Sequence, residues 1–224
     1  MRTTVRQAGF TLVEIAIVLV IIGLLLGGIL KGQEMITQAR IKNVINDFNG
    51  VTAAYFSYVD RYRQVPGDDV GALTRWTTQV PALVAGAADG NGQLDKPAGT
   101  TYNTTNAGDE PRLFWWHLRI AGFIPGATAL QNQGEQNPTN AFGGQMGAQA
   151  GAGAATLGLS GLIVCSNQVP DKVAIAVDTQ IDDQNAGTGS VRALANTVAV
   201  AALAAPPVAY AETGSNVYLM CKGV

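Results

Sequence analysis

The stretch Phe10–Leu30 constrains this chain more than any other, because it is apolar almost throughout and carries one charged side chain, Glu14. At the helical rise of about 1.5 Å per residue it reaches roughly 30 Å, the hydrocarbon thickness of a bilayer. A carboxylate inside such a run costs about 2.5–3.5 kcal/mol by insertion scales, so Glu14 calls for a partner. Arg2 and Arg6 precede the run. Their charge keeps the short leader on the cytoplasmic side and sends the remainder of the chain across the membrane.

The helix is expected to continue well past the bilayer. Ile41, Val44, Ile45, Phe48, Val51, Tyr55, Phe56, Val59 and Tyr62 recur three or four residues apart and form one apolar stripe. Arg40, Lys42, Asn46, Asp47, Ser57, Asp60 and Arg61 occupy the opposite face. No proline interrupts the pattern before Pro66, where Val65-Pro66-Gly67-Asp68-Asp69 supplies turn chemistry. The stripe reads as the spine against which a sheet packs.

Residues 70–112 read as a polar, loop-rich insertion. Within it Asp89, Asn91 and Asp95 place side-chain oxygens at alternate positions of a Gly-rich loop, the pattern of a flexible calcium site. The match to an EF-hand loop is partial, since Leu94 stands at the turn-glycine position and Thr100 at that of the bidentate glutamate. A plain Asp-Gly/Asn-Gly turn explains the same residues. Further on, 113–126 predicts a short helix with Gly122 as its C-terminal cap, and 127–160 is low-complexity Gly, Ala, Gln and Asn. Leu162–Cys165 and Asn216–Cys221 predict strands, and 172–183 a helix packed by Val173, Ala176, Val177 and Ile181. The segment 198–205 reads as a strand or a variable surface stretch.

The charge balance excludes one class of function. Fourteen basic against sixteen acidic residues give a net charge of −2, without a Lys/Arg run, so tight nucleic-acid binding through a basic patch is not expected. No catalytic pattern stands out either. His117 is the only histidine and lies beside Trp115 and Trp116, where packing is the expected role. Asp182 and Asp183 are adjacent, so their side chains diverge, and loop solvation or a local pair with Arg192 accounts for them. The chain is not expected to be an enzyme.

Gly9-Phe10-Thr11-Leu12-Val13-Glu14, with its short basic leader and long apolar run, resembles the leader junction of type IV pilins and pseudopilins. The Pro-Gly-Asp segment after the helix, the Phe-Trp-containing helix and Gly189–Ala193 extend the resemblance in patches. A cleaved secretory signal would place its cleavage site after the apolar run, and a plain signal anchor has no use for Glu14. The resemblance implies cleavage after Gly9 by the prepilin peptidase/N-methyltransferase, methylation of Phe10, and use of Phe10 and Glu14 in assembly. It implies an α+β fold: a long N-terminal helix, transmembrane in its first half and amphipathic in its second, on a small antiparallel sheet with long loops. The expected organisation is a leader at 1–9, an assembly helix at 10–30, its amphipathic half at 31–63, and a periplasmic or extracellular domain at 64–224. Cys165 and Cys221 are expected to pair in that oxidising space, a C-terminal disulfide being common in pilins; two separate buried thiols are the alternative. The implied partners are other pilin or pseudopilin subunits and the inner-membrane assembly platform. Calcium is bound in an analogous loop by some pseudopilins. The expected function is a structural filament subunit, and the alternative is a membrane-anchored binding or adhesion module that does not polymerise.

Overall fold

The computed structural model describes residues 9, 11–76, 88–95, 102, 104, 108–129, 136–151, 157–195 and 209–224. Residues 1–8, Phe10 and the segment 198–205 lie outside the described residues. Helix α1 runs Leu12–Tyr62, α2 Ala72–Arg75, α3 Glu110–Ile120 and α4 Asp171–Ile181. Strands β1 Met146–Ala150, β2 Leu162–Pro170, β3 Val191–Ala195 and β4 Val217–Gly223 form one antiparallel sheet in the order β1-β2-β4-β3. The α+β layout follows from these elements. The chain divides into two units, Met1–Arg40 and Ile41–Val224.

In the first unit, α1 is continuous through Gly23, Gly27, Gly28 and Gly32. Its apolar side chains from Leu12 to Leu30 are exposed. In the second unit the same helix buries Ile41, Val44, Phe48, Val51, Ala54 and Tyr58. That stripe departs from the expected one in two places. Phe56 is 55% exposed, and Ala54 and Tyr58 fill the core instead. Position 56 lies two residues from both, about 200° around the helix from each, so it cannot share their face.

The sheet offers α1 one of its faces. Met146, Ala148, Val164, Val191, Ala193, Tyr218 and Met220 join Phe48 and Tyr58 in a common core. Alternation along the strands places Ile163, Cys165, Leu194, Leu219 and Cys221 on the other face, under Tyr102 and Leu157. Both faces are therefore buried, which explains why β1 is buried at every position. Part of the low-complexity stretch thus forms a regular edge strand. Its Gly147 is required because a Cβ there would collide with the Tyr102 carbonyl.

Cys165 and Cys221 are register partners across β2 and β4, and they form a disulfide in the second core. The bond spans a sequence separation of 56 residues. A loop of that size contributes roughly 4 kcal/mol in the chain-entropy model. Next to it, β2 is irregular between Ser166 and Val169, where buried amides replace ladder bonds. Asn140 Nδ2 donates to Ser166 Oγ at 2.8 Å, and Asn167 Oδ1 accepts the Gln145 N–H at 2.7 Å.

Helix α3 starts at Glu110, earlier than expected, with Pro111 in its first turn. It ends as a Schellman motif: Phe123 N–H donates to the Leu118 carbonyl at 2.9 Å and Gly122 N–H to that of Arg119 at 3.0 Å. Gly122 takes φ +81°, the left-handed conformation this cap demands.

Candidate functional site: the N-terminal helix end and the pinned loops

Glu14 is three residues past Thr11, and the two side chains close the helix end on themselves. Thr11 N–H and Thr11 Oγ1 both donate to Glu14 Oε2 at 2.8 Å, and Glu14 N–H reaches Thr11 Oγ1 at 3.3 Å. This reciprocal pair is a capping box, satisfying backbone donors that a helix start leaves without intrahelical partners. The carboxylate also lies at the positive end of the helix dipole. Thr-x-x-Glu ahead of an apolar run is the sequence signature of this cap, and it gives Thr11 a role beyond its place in the leader junction. Gly9 is exposed; Phe10, the other processing residue, is outside the described residues. The helix is long and apolar enough to cross a membrane, and its apolar side chains from Leu12 to Leu30 are exposed.

At the far end of α1 the turn 65–69 organises three further segments. Asp68 is buried and accepts backbone N–H bonds from Asp89 (3.0 Å), Gly90 (2.6 Å) and Gly92 (2.6 Å). Successive N–H groups converging on one carboxylate make an anion nest, and Gly90 and Gly92 take φ +74° and +84° to form it. Glu110 Oε2 accepts the Asp95 N–H at 2.8 Å. Of the residues expected for calcium, Asn91 and Asp95 bond to each other at 3.1 Å, whereas Asp89 converges with Asp68 and Glu110. Among the described residues, two acidic groups have ligand atoms close enough to hold a cation. They are Asp68, Asp89 and Glu110, and Asp178, Asp182 and Asp183, each with its oxygens within 4.8 Å of one another. Leu94, at the turn-glycine position, is a core side chain.

The second acidic group also serves its own loop. Asp178 accepts Tyr210 O–H at 2.7 Å and Gln184 N–H at 3.2 Å, while Asp182 takes the Val191 N–H at 2.7 Å. Burial pushes the Asp178 carboxyl above its ordinary value, against those two hydrogen bonds. Arg192 donates to the carbonyls of Gly189 and Leu157.

Asp69, beside Asp68, faces inward instead. It accepts Tyr58 O–H at 2.7 Å and pairs with Arg75 at 2.8 Å, its own side chain fully buried. Burial raises its pKa, but the bonds from Arg75 and Tyr58 outweigh that and hold the carboxyl below its usual value. Arg75 also lies over the Tyr62 ring, 4.3 Å from its centroid. His117 stacks on Tyr58 nearby, and its Nδ1 accepts the Gly67 N–H at 2.8 Å. Gly67 is obligatory: at φ +96° an added Cβ would sit 2.6 Å from the Glu110 carbonyl oxygen. Burial drives the His117 imidazole to about 3; the Asp69 carboxylate pulls the other way, and Arg75 adds to the lowering. His117 is therefore a neutral packing residue, in keeping with its sequence context.

Residues 5–30 match the family model described as the prokaryotic N-terminal methylation motif. The chain is pilin-like over that segment, and the match does not extend beyond it. Among curated proteins and among solved structures, none matches the chain.

Proposed function

We propose that this protein is a structural subunit of a type IV pilus-like or type II secretion pseudopilus filament. In this reading the chain waits in the inner membrane as a precursor with its C-terminal domain in the periplasm. The prepilin peptidase cuts after Gly9 and methylates Phe10, and the subunit then polymerises through α1. The observation that carries the reading is the methylation motif leading directly into an exposed apolar helix that continues, unbroken, as the spine of a folded domain. Such an apolar surface needs lipid before assembly and neighbouring helices after it. In a filament, the Glu14 carboxylate would exchange its own Thr11 cap for the Phe10 ammonium of the adjacent subunit. Two charges that are each costly in an apolar medium become tolerable as a hydrogen-bonded pair.

Expression of the full chain with a prepilin peptidase and an assembly platform tests this reading. The expected outcome is chain recovered in the sheared, high-speed pellet as filaments visible by negative-stain microscopy. Full processing with the chain remaining a membrane monomer would instead support the anchored-module reading.

A further inference from the structure

The disulfide lies beneath a roof of side chains, and the two plates of that roof are fastened differently. Cys165 and Cys221 are both fully buried. Ile163, Leu194 and Leu219, which pack with them, belong to the strands themselves, whereas Tyr102 and Leu157 reach over the pair from outside the sheet. A disulfide exchanges only when a thiolate reaches one of its sulfurs, so no thiol attacks this one while both side chains are seated.

Leu157 is held through its carbonyl, which accepts a hydrogen bond from Arg192 Nη1 of β3. That bond has a cationic donor and belongs to the stronger kind. Tyr102 is held at three points by neutral side-chain amides. Gln149 Oε1 of β1 accepts its N–H at 2.8 Å, and Asn137 Nδ2 donates to its carbonyl at 2.6 Å. Asn167 Nδ2, from the irregular stretch of β2, donates to its hydroxyl at 3.0 Å. This closure leaves the far ends of two of the amides, Asn137 Oδ1 and Gln149 Nε2, buried without a hydrogen-bond partner among the described residues. Releasing Tyr102 breaks three bonds but returns those ends to water, which offsets part of the cost.

We propose that Tyr102 is a gate over the Cys165–Cys221 bond: its local release, with the sheet and helices intact, is the route by which thiols reach the disulfide. Once the gate is open, a thiolate bonds to one cysteine sulfur and the other leaves as a thiolate. A second thiol then attacks the mixed disulfide, so that two thiols become one disulfide and the protein gains two electrons and two protons. In the other direction, an oxidant's disulfide has to pass its bond to Cys165 and Cys221 before Tyr102 seats. The strands set that order, since the register of β2 on β4 already brings the two cysteines opposite each other. The gate does not depend on the filament reading, because an anchored monomer would carry it too.

Dithiothreitol added to the detergent-solubilised full chain, with released thiols counted by maleimide labelling and intact mass, tests the gate. Wild type is expected to be reduced slowly, at a rate that stays flat in urea well below the unfolding transition, because local release exposes little new surface. Tyr102→Phe deletes the hydroxyl that Asn167 holds, and Gln149→Met deletes the acceptor of the Tyr102 N–H. Each is expected to speed reduction by severalfold to about tenfold, the worth of one hydrogen bond. Val44→Ala weakens the separate core under α1 and lowers global stability, yet is expected to leave the rate unchanged. Trp fluorescence melting confirms that each variant is folded. Acceleration by Val44→Ala in step with its lost stability overturns the proposal, as does a rate that climbs steeply with the first urea. So does a folded wild type that is not reduced, or unchanged rates in both gate variants. A larger effect from Arg192→Gln than from either would place the route at Leu157 and overturn it equally.

Discussion

Glu14→Val is expected to abolish filaments while leaving the domain after residue 40 folded. The variant removes a carboxylate that the proposed filament pairs with the Phe10 ammonium of the next subunit. An ammonium left without its partner in an apolar packing costs about 3–5 kcal/mol. That corresponds to roughly a hundred- to a thousandfold or more at every subunit contact, enough to prevent polymerisation. The monomer loses only a capping box at an exposed helix end, about 1 kcal/mol. Glu14→Gln separates charge from cap, because glutamine also completes a capping box. It is expected to fail in assembly like the valine variant. Sheared-fraction yields of the three chains, at matched membrane levels, measure the effect. Normal filaments from the glutamine variant would mean that the cap, not the charge, is what assembly requires.

The second large effect is acid sensitivity located at His117. Its folded-state pKa of about 3 lies well below the ordinary 6.5. Above pH 6.5 both the folded and the unfolded chain are neutral at this position, so its contribution to stability is complete. As pH falls below 6.5 the unfolded chain takes up a proton that the buried imidazole refuses, and each pH unit costs about 1.4 kcal/mol. Down to pH 3 the loss amounts to roughly 4–5 kcal/mol. His117→Ala removes this dependence but strips the Gly67 N–H of its acceptor and opens a cavity, about 3 kcal/mol at neutral pH. Wild type is therefore expected to melt above the variant at pH 7.5, with the gap closing as pH approaches 4. Trp115 and Trp116, both buried near it, report unfolding by fluorescence of the full chain in detergent. Parallel pH curves for the two proteins would remove His117 as the source.

The N-terminal half of this account was legible in the sequence because its determinants are local. The apolar run, Glu14, the helical stripe and the Pro66 stop each sit within a turn or two of what they control. Phe56 shows the limit, since a wide stripe does not say which of two neighbouring aromatics, 56 or 58, faces the core. The loops were much less legible, and for a definite reason. Asp68 holds N–H groups of residues 89, 90 and 92, Glu110 holds that of Asp95, and Asp171 holds those of Thr213 and Gly214. A carboxylate that accepts backbone donors of any residue type imposes no pattern on the sequence that supplies them. The edge strand at 146–150 was hidden likewise, because its burial on both faces removes the alternation that marks a strand.

The central claim rests most directly on what becomes of Gly9–Phe10, and intact mass with N-terminal sequencing reads that junction. The protein would be recovered from membranes of cells with and without the prepilin peptidase. The account predicts a chain beginning at N-methylated Phe10 when the peptidase is present, and at Met1 when it is absent. A chain beginning at Met1 in both cells would contradict it and leave α1 a permanent anchor.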